Sequence, residues 1–435
     1  MESDLTEVEL GDIGEFANGA NFSQEDYGPG YPIVNVKQLY GGRFIDLHDL
    51  ESLNKNVLKR PERLFLREGD ILFARSSVKR SGSGQCAMVP EGVAQTIFSG
   101  FIIRLRLNDS SKTNPMFLNY LLQSPKYREI FSRIATGTAI HNLSQDALKR
   151  ISVRLPSKAV QDEVTMMLGK IDDRITLLRQ SNKSLEAIAR TLFTSWFVSF
   201  DPVRAKAQDH EPEGMDAPTA ALFPSEFQEL NGSSVPIGWI EAPLDSIATF
   251  LNGIALQKYP AVMGEDSLPA IKIAQLRCGS AEGADRISPA LPPQYLIRDG
   301  DLLFSWSGSL EVEIWCGGDG ALNQHLFKVT SDTYPQWFIY FWLREHLAHF
   351  REIAESKVTT MGHIQRHHLK EALVAVPPTD TIQKLGETIE PLLNRAIQSR
   401  LQMSNLAELR DMLLPRLISG KLRVPEAEKM VEAVL

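Results

Sequence analysis

Residues 75–84 (RSSVKRSGSG) set the cations Arg75, Lys79 and Arg80 among the hydroxyls of Ser76, Ser77 and Ser81, next to glycines. Small residues let a backbone approach phosphate oxygens, while arginine and lysine supply charge and can pair with guanine edges. The chemistry offered is recognition of a polyanion; an ordinary flexible basic loop is the plainer reading of the same window. A second run, 133–143 (RIATGTAIHNL), offers Thr136, Gly137, Thr138, His141 and Asn142. Asparagine can pair bidentately with adenine, and hydroxyls suit either groove or phosphate. Helix capping by threonine and asparagine is the alternative there.

Residue patterns for catalysis are missing where they would be expected. Residues 363–367 (HIQRH) have histidines one helical turn apart but lack the glutamate of a zinc-protease motif. His346 and His349 read as a solvated helix face. Residues 82–84 fit neither a dinucleotide fingerprint nor a P-loop, and 201–203 (DPV) lack the aromatic of an amino-methyltransferase motif. Cys86, Cys278 and Cys316 are too far apart for a metal clamp and odd in number, which suits a reducing cytosol. No catalytic residue and no metal site is expected, and any chemistry belongs to a partner.

The elements that carry these runs occur twice. Residues 10–19 (LGDIGEFANG) match 244–253 (LDSIATFLNG), 31–39 match 268–276, and 67–73 (REGDILF) match 298–304 (RDGDLLF). Pro115, Tyr120 and Pro156 match Pro335, Tyr340 and Pro377 in the same order. A duplicated chain follows. The first basic loop then corresponds to Ser305, Trp306 and Ser307, which have lost the cations, and 133–143 corresponds to 354–364. Lys357, Thr359, Thr360 and His363, with Arg366, are the second copy's donors. The two copies cannot read a ligand in the same way.

Each copy is about 155 residues of mixed α/β, with β-like runs at 33–36, 70–73 and 101–105, followed by a helix of about 40 residues. In the first helix Ile171, Ile175, Leu178, Asn182, Leu185, Ala189, Leu192 and Trp196 alternate spacings of four and three, a heptad seam in which one buried amide can fix register. The second copy supplies Leu392, Ala396, Ser399, Met403, Leu406, Leu413 and Leu417, with Arg410 interrupting. Twofold-related copies would pack these helices antiparallel, a strut of about 60 Å. Residues 201–238, rich in proline and acid, read as a linker reaching about 120 Å when extended. Two unlike heads at a set separation match a bipartite DNA site, whose half-sites lie ~34 Å or a multiple apart; a seam that only holds the protein together is the blander reading.

The 435 residues suffice for roughly three domains. With 43% hydrophobic and 23% charged residues, the chain is neither disordered nor fibrous. A net charge of −8 confines any DNA-binding surface to local patches. The acidic start (MESDLTEVEL) has no secretory n-region, and the apolar stretch 188–200 is broken by Arg190 and too short for a bilayer, so a cytoplasmic protein is expected.

Residues 189–204 (ARTLFTSWFVSFDPVR) and 413–424 (LLPRLISGKLRV), which close the two helices, together with the repeat and 135–138 (ATGT), make the chain resemble the specificity subunit of type I restriction-modification enzymes. The second copy has 358–362 (VTTMG) in place of the ATGT run. The resemblance implies a mixed α/β fold of two repeated DNA-recognition domains separated by two long antiparallel coiled-coil helices, with pseudo-twofold symmetry. The expected layout is a first recognition domain at 1–155, a spacer helix at 156–200, the linker at 201–238, a second recognition domain at 239–377, a second spacer helix and turn at 378–424, and a tail at 425–435. It implies recognition of an asymmetric, gapped DNA site and a scaffold for two methyltransferase subunits and the restriction subunits. S-adenosylmethionine would sit on the former and ATP with Mg on the latter, with no cofactor on this chain. Trp196 and Phe197, taken as exposed, and Ser419, Gly420 and Lys421 are expected to dock partners, with core packing against the heads the equal alternative. A duplicated scaffold that binds proteins rather than DNA is the alternative, and an enzyme acting alone is a second.

Overall fold

The motif shared by 67–73 and 298–304 is a turn that launches a strand. In each copy the arginine backbone N–H donates to the aspartate four positions into the motif, Arg67 to Asp70 Oδ2 and Arg298 to Asp301 Oδ2, both at 2.8 Å. The glycine before each aspartate, Gly69 at φ +81° and Gly300 at φ +92°, occupies the left-handed region that a side chain disfavours. Each aspartate then pairs with a cation on the neighbouring strand: Asp70 with Arg106 at 2.6 Å, Asp301 with Lys328 at 2.7 Å. The motif is structural, and it aims the strand end at the candidate loops.

The computed structural model describes residues 5–40, 42–230, 232–356, 362–419 and 421–432, with the Ser81 side chain outside the description. It divides into two compact units, Met1–Thr176 with Asn405–Leu435, and Leu177–Ser404. In the first, an antiparallel sheet runs Gly14–Asn18, Ile102–Leu107, Ile71–Ala74, Cys86–Met88. A three-stranded sheet runs Ser52–Asn54, Gly30–Val34, Ile97–Phe98, its last pair parallel. In the second unit the order is Thr249–Asn252, Leu326–Thr330, Leu302–Ser305, Val312–Ile314. Beside it lies Arg286–Ile287, Leu268–Ile271, Gly320–Leu322, Leu296–Ile297, again with one parallel pair. Each head is closed by pairing its first and last strands, Thr6–Glu9 with Ser152–Leu155 and Ile240–Pro243 with Leu373–Val376. The duplication read from sequence is therefore a duplication of topology.

The helices of the heads differ for a local reason. Pro115 and Pro125 each open a helix in the first head, Pro115–Gln123 and Pro125–Ile134, because proline lacks the N–H that continuation requires. Asn114 caps the former by accepting from the Met116 and Phe117 N–H groups. The second head has no proline inside the equivalent stretch, and Gln336–Glu355 is one helix.

The long helices span Lys158–Phe193 and Thr379–Ile418. The start of the first belongs with the end of the second in one unit, and the reverse holds in the other, as an antiparallel pair requires. Ile171, Ile175, Leu178, Asn182, Ala189 and Trp196 are buried, as are Ala396, Ser399, Leu406, Leu413 and Leu417. Arg410 breaks the seam because it serves another purpose: its Nη1 meets the buried Asp172 carboxylate at 2.9 Å. The same carboxylate accepts from the Tyr120 hydroxyl and lies 3.7 Å from Arg43.

The linker and the tail carry structure of their own. Residues 201–238 are not an extended tether: Asp201–Ala207 is helical, Phe227–Leu230 pairs with Ser233–Pro236, and Val203, Phe223 and Val235 are buried. Among the described residues of the tail, Val424–Glu432 forms a helix that buries Ala427 and Val431.

Candidate nucleic-acid interface

In the first unit the two candidate runs are one object. Ser76–Ser77 and His141–Asn142 form an antiparallel ribbon with Asn142 opposite Ser76 and His141 opposite Ser77. Asn142 exchanges backbone hydrogen bonds with Thr136 at 2.7 and 3.0 Å, which closes the loop holding Gly137 and Thr138. Gly137 sits at φ +111°, and a Cβ there would meet the Ile140 carbonyl oxygen at 2.1 Å. The ribbon is fastened to the sheet through Arg75, whose N–H donates to Phe101 O and whose carbonyl accepts from Leu143 N, both at 2.8 Å.

Side chains complete the surface. Ser76 Oγ donates to Asn142 Oδ1 at 2.5 Å, Arg80 Nη2 to Ala135 O at 3.1 Å, and Arg75 Nη1 to Gly100 O at 3.3 Å. These bonds orient the two guanidinium groups while leaving further N–H donors on each. Lys79, Arg80, Thr136, Thr138 and Asn142 are exposed, and His141 is half-buried. The result is a basic, donor-rich ribbon.

The second unit repeats the scaffold with other side chains. Trp306 N donates to His325 O at 3.3 Å and Ile364 N to Trp306 O at 3.0 Å, the same two bonds that Arg75 makes. Ser307 pairs with His363 as Ser76 does with Asn142. Arg75, Phe101 and Asn142 are thus replaced by Trp306, His325 and His363. Trp306 Nε1 donates to Asn252 Oδ1 at 3.0 Å, and its ring meets His363 edge-on at 6.4 Å. Arg366 is exposed, but its guanidinium lies over Phe327 and donates to Phe250 O at 3.1 Å.

Several expected roles change. Ser305 and Ser307 are buried rather than surface donors. Ser305 Oγ bonds Ser309 O and the Glu311 N–H, each at 2.7 Å, and Ser307 Oγ bonds His325 Nδ1 at 2.9 Å. They hold the loop and orient the imidazole. Lys357, Thr359, Thr360 and Gly420 lie outside the described residues. Trp196 and Phe197 are buried, not exposed: Phe197 meets Trp239, Trp337 and Phe338, and Trp196 meets Phe223, all within the second unit. The seam explains one face of that helix end; the aromatic helix Gln336–Glu355 covers the other. Ser419 and Lys421 are exposed. His346 is half-buried against Trp342, with Nε2 3.0 Å from Leu373 O, whereas His349 is exposed.

Among the described residues, His367, His368 and Glu371 form the one group whose ligand atoms lie close enough for a metal, within 4.8 Å. His368 Nδ1, however, accepts the Gln365 N–H at 2.9 Å. The neutral ring then carries its proton on Nε2 and has no free lone pair for a cation. Tyr40, Phe101, Asn252 and His325 are site neighbours that the sequence reading missed, because each reaches the ribbon through tertiary structure.

Residues 2–187 match the profile described as the type I restriction modification DNA specificity domain. The HindI specificity subunit of Haemophilus influenzae is 24% identical over 97% of this chain and 100% of its own length. The MjaIX specificity subunit of Methanocaldococcus jannaschii is 25% identical over 95% and 93%. The crystal structure of a type I restriction-modification S subunit from M. genitalium aligns with a TM-score of 0.51 at 15% identity, covering 96% of each chain, and so shares the fold. No helix among the described residues is long and apolar enough to cross a membrane. The profile match, the relatives and the doubled head-and-helix topology agree: this chain is similar to the specificity subunits of type I restriction-modification systems.

Proposed function

We propose that the chain reads an asymmetric, gapped DNA site, one half with each ribbon. The observation that carries this reading is the repeated construction of the site. In both units segments distant in sequence are joined by the same backbone bonds, and the side chains presented differ: Arg75, Lys79, Arg80 and Asn142 in one, Trp306, His325 and His363 in the other. A common scaffold with exchanged readers suits two half-sites of different sequence. β-ribbons are known readers of the major groove.

The chain itself performs no catalysis in this account. Two methyltransferase subunits carrying S-adenosylmethionine, and restriction subunits using ATP and Mg, assemble on it in the cytoplasm. The long helices set the gap between half-sites, and Ser419 and Lys421 contribute to partner docking. Partners that share phosphate neutralisation make a net charge of −8 compatible with DNA binding.

The test is equilibrium binding of the chain, assembled with its modification subunits, to duplex DNA across a salt series. Specific retention whose affinity falls steeply and log-linearly with salt is expected. Salt-insensitive binding, or none, favours the protein-binding scaffold. Activity of the isolated chain with cofactor would instead revive a self-sufficient enzyme.

A further inference from the structure

Among the described residues of the first head, the exposed large apolar side chains are Tyr40, Val78, Phe101 and Ile140, at 49, 79, 62 and 54% exposure. All four lie at the ribbon. Val78 follows Ser76–Ser77 and Ile140 precedes His141–Asn142, so both flank the end of the ribbon at which His141 stands opposite Ser77. Phe101 supplies the carbonyl that holds Arg75. Tyr40 stands behind the turn: a Cβ on Gly82 would meet Ser77 Oγ at 2.3 Å and the Tyr40 hydroxyl at 3.1 Å.

We infer that Val78 and Ile140 are base-reading residues that pack on thymine methyl groups in the half-site of the first head, with Phe101 and Tyr40 flanking them. The inference rests on the DNA-reading assignment above and deepens it. An apolar cluster at one spot of a head that otherwise hides its large apolar groups marks a contact surface. Its surroundings name the occupant. Lys79 and Arg80 follow Val78 directly and are exposed, and Ser76 and Asn142 lie two steps along the ribbon. A protein partner with an apolar patch gains nothing from that rim of cations and amides, whereas a duplex presents phosphates to the cations and, on its major-groove edge, the 5-methyl of thymine as its apolar feature. Among the described residues the second unit has no counterpart of Val78: the repeat puts Ser309 at its place and His325 at that of Phe101. Thymine reading through Val78 therefore belongs to the first head's half-site.

The experiment uses the full chain assembled with its modification subunits and its mapped target duplex. Each thymidine of the first head's half-site is replaced in turn by deoxyuridine, which removes only the methyl. At one position or more, affinity should fall about fourfold, the value of one buried methyl group. The Val78→Ser, Ile140→Ser double variant, with an unchanged melting temperature, should bind the thymidine duplex more weakly by a similar factor or more and respond no further to deoxyuridine there. Substitutions in the other half-site should affect both proteins equally. Deoxyuridine without effect throughout the first half-site, or an equal effect on wild type and variant, overturns the inference while leaving specific DNA binding intact. Loss of subunit association or a change of oligomeric state with target preference unchanged would make the patch a protein contact and overturn it too. Should the variant not fold, the deoxyuridine series on the wild type still decides. A complex that shows no specific binding to any mapped target brings down the DNA-reading assignment itself.

Discussion

Lys79 is exposed beside a ribbon whose other cations are partly held by backbone carbonyls, so its task is charge rather than shape. Lys79→Ala should weaken binding about equally for all sequences and lower the magnitude of the salt slope by about one, read by anisotropy across a salt series. Asn142→Ala and His363→Ala should behave differently. They occupy equivalent places in unlike heads, so each should relax target preference in one half-site and leave the other half unchanged, read by competition with single-base variants. The residue types at these positions were legible from sequence, because cations, hydroxyls and amides announce polyanion chemistry. Their union was not, since Ser76 and Asn142 are 66 residues apart and only the folded sheet brings them together. Ser305 and Ser307 were misread for the converse reason: a Ser/Gly loop looks exposed until its hydroxyls are seen turned inward.

At the scale of elements, the two helix junctions use opposite chemistry. In the first unit the Asp172 carboxylate gathers Arg410, Arg43 and Tyr120. In the second, Phe193 stacks on Phe197 and Phe341 at 5.0 and 5.2 Å and meets Trp342 edge-on at 5.3 Å. Arg410→Leu leaves a buried carboxylate short of a partner and should destabilise the first unit by about 3 kcal/mol. Phe193→Ala opens a cavity in the second and should cost about 3–5 kcal/mol; denaturant unfolding followed in each unit checks both. The second junction also has an acid-sensitive component. Burial holds the His346 imidazole below its ordinary range, against the opposing hydrogen bond to Leu373 O. The folded form therefore binds fewer protons than the unfolded chain, and stability of the second unit should fall as pH drops below about 6.5. His346→Gln should remove that part of the pH dependence in urea titrations at pH 8 and 5.5. Sequence periodicity revealed the helices and the seam, but it could not show that Arg410 leaves the seam for Asp172, nor that the second head supplies the aromatic cover over Trp196 and Phe197.

For the whole molecule, the duplication was readable from short motifs because the turn at Gly69 and Gly300 needs the same residues in both copies. Residues 201–238 were not, since proline and acid content resembles a tether even when Val203, Phe223 and Val235 are buried. If the long helices set the gap, inserting one heptad into each adds about 10 Å and should lengthen the gap by about three base pairs. The central claim is that two unlike heads each read one half of a gapped site. Single-molecule mapping of methylated bases tests it most directly, comparing cells that carry the wild-type system with cells in which residues 5–155 are exchanged for a relative's first head. The account predicts a bipartite target in which one half changes while the other half and the gap persist; a continuous target, or a change in both halves, would contradict it.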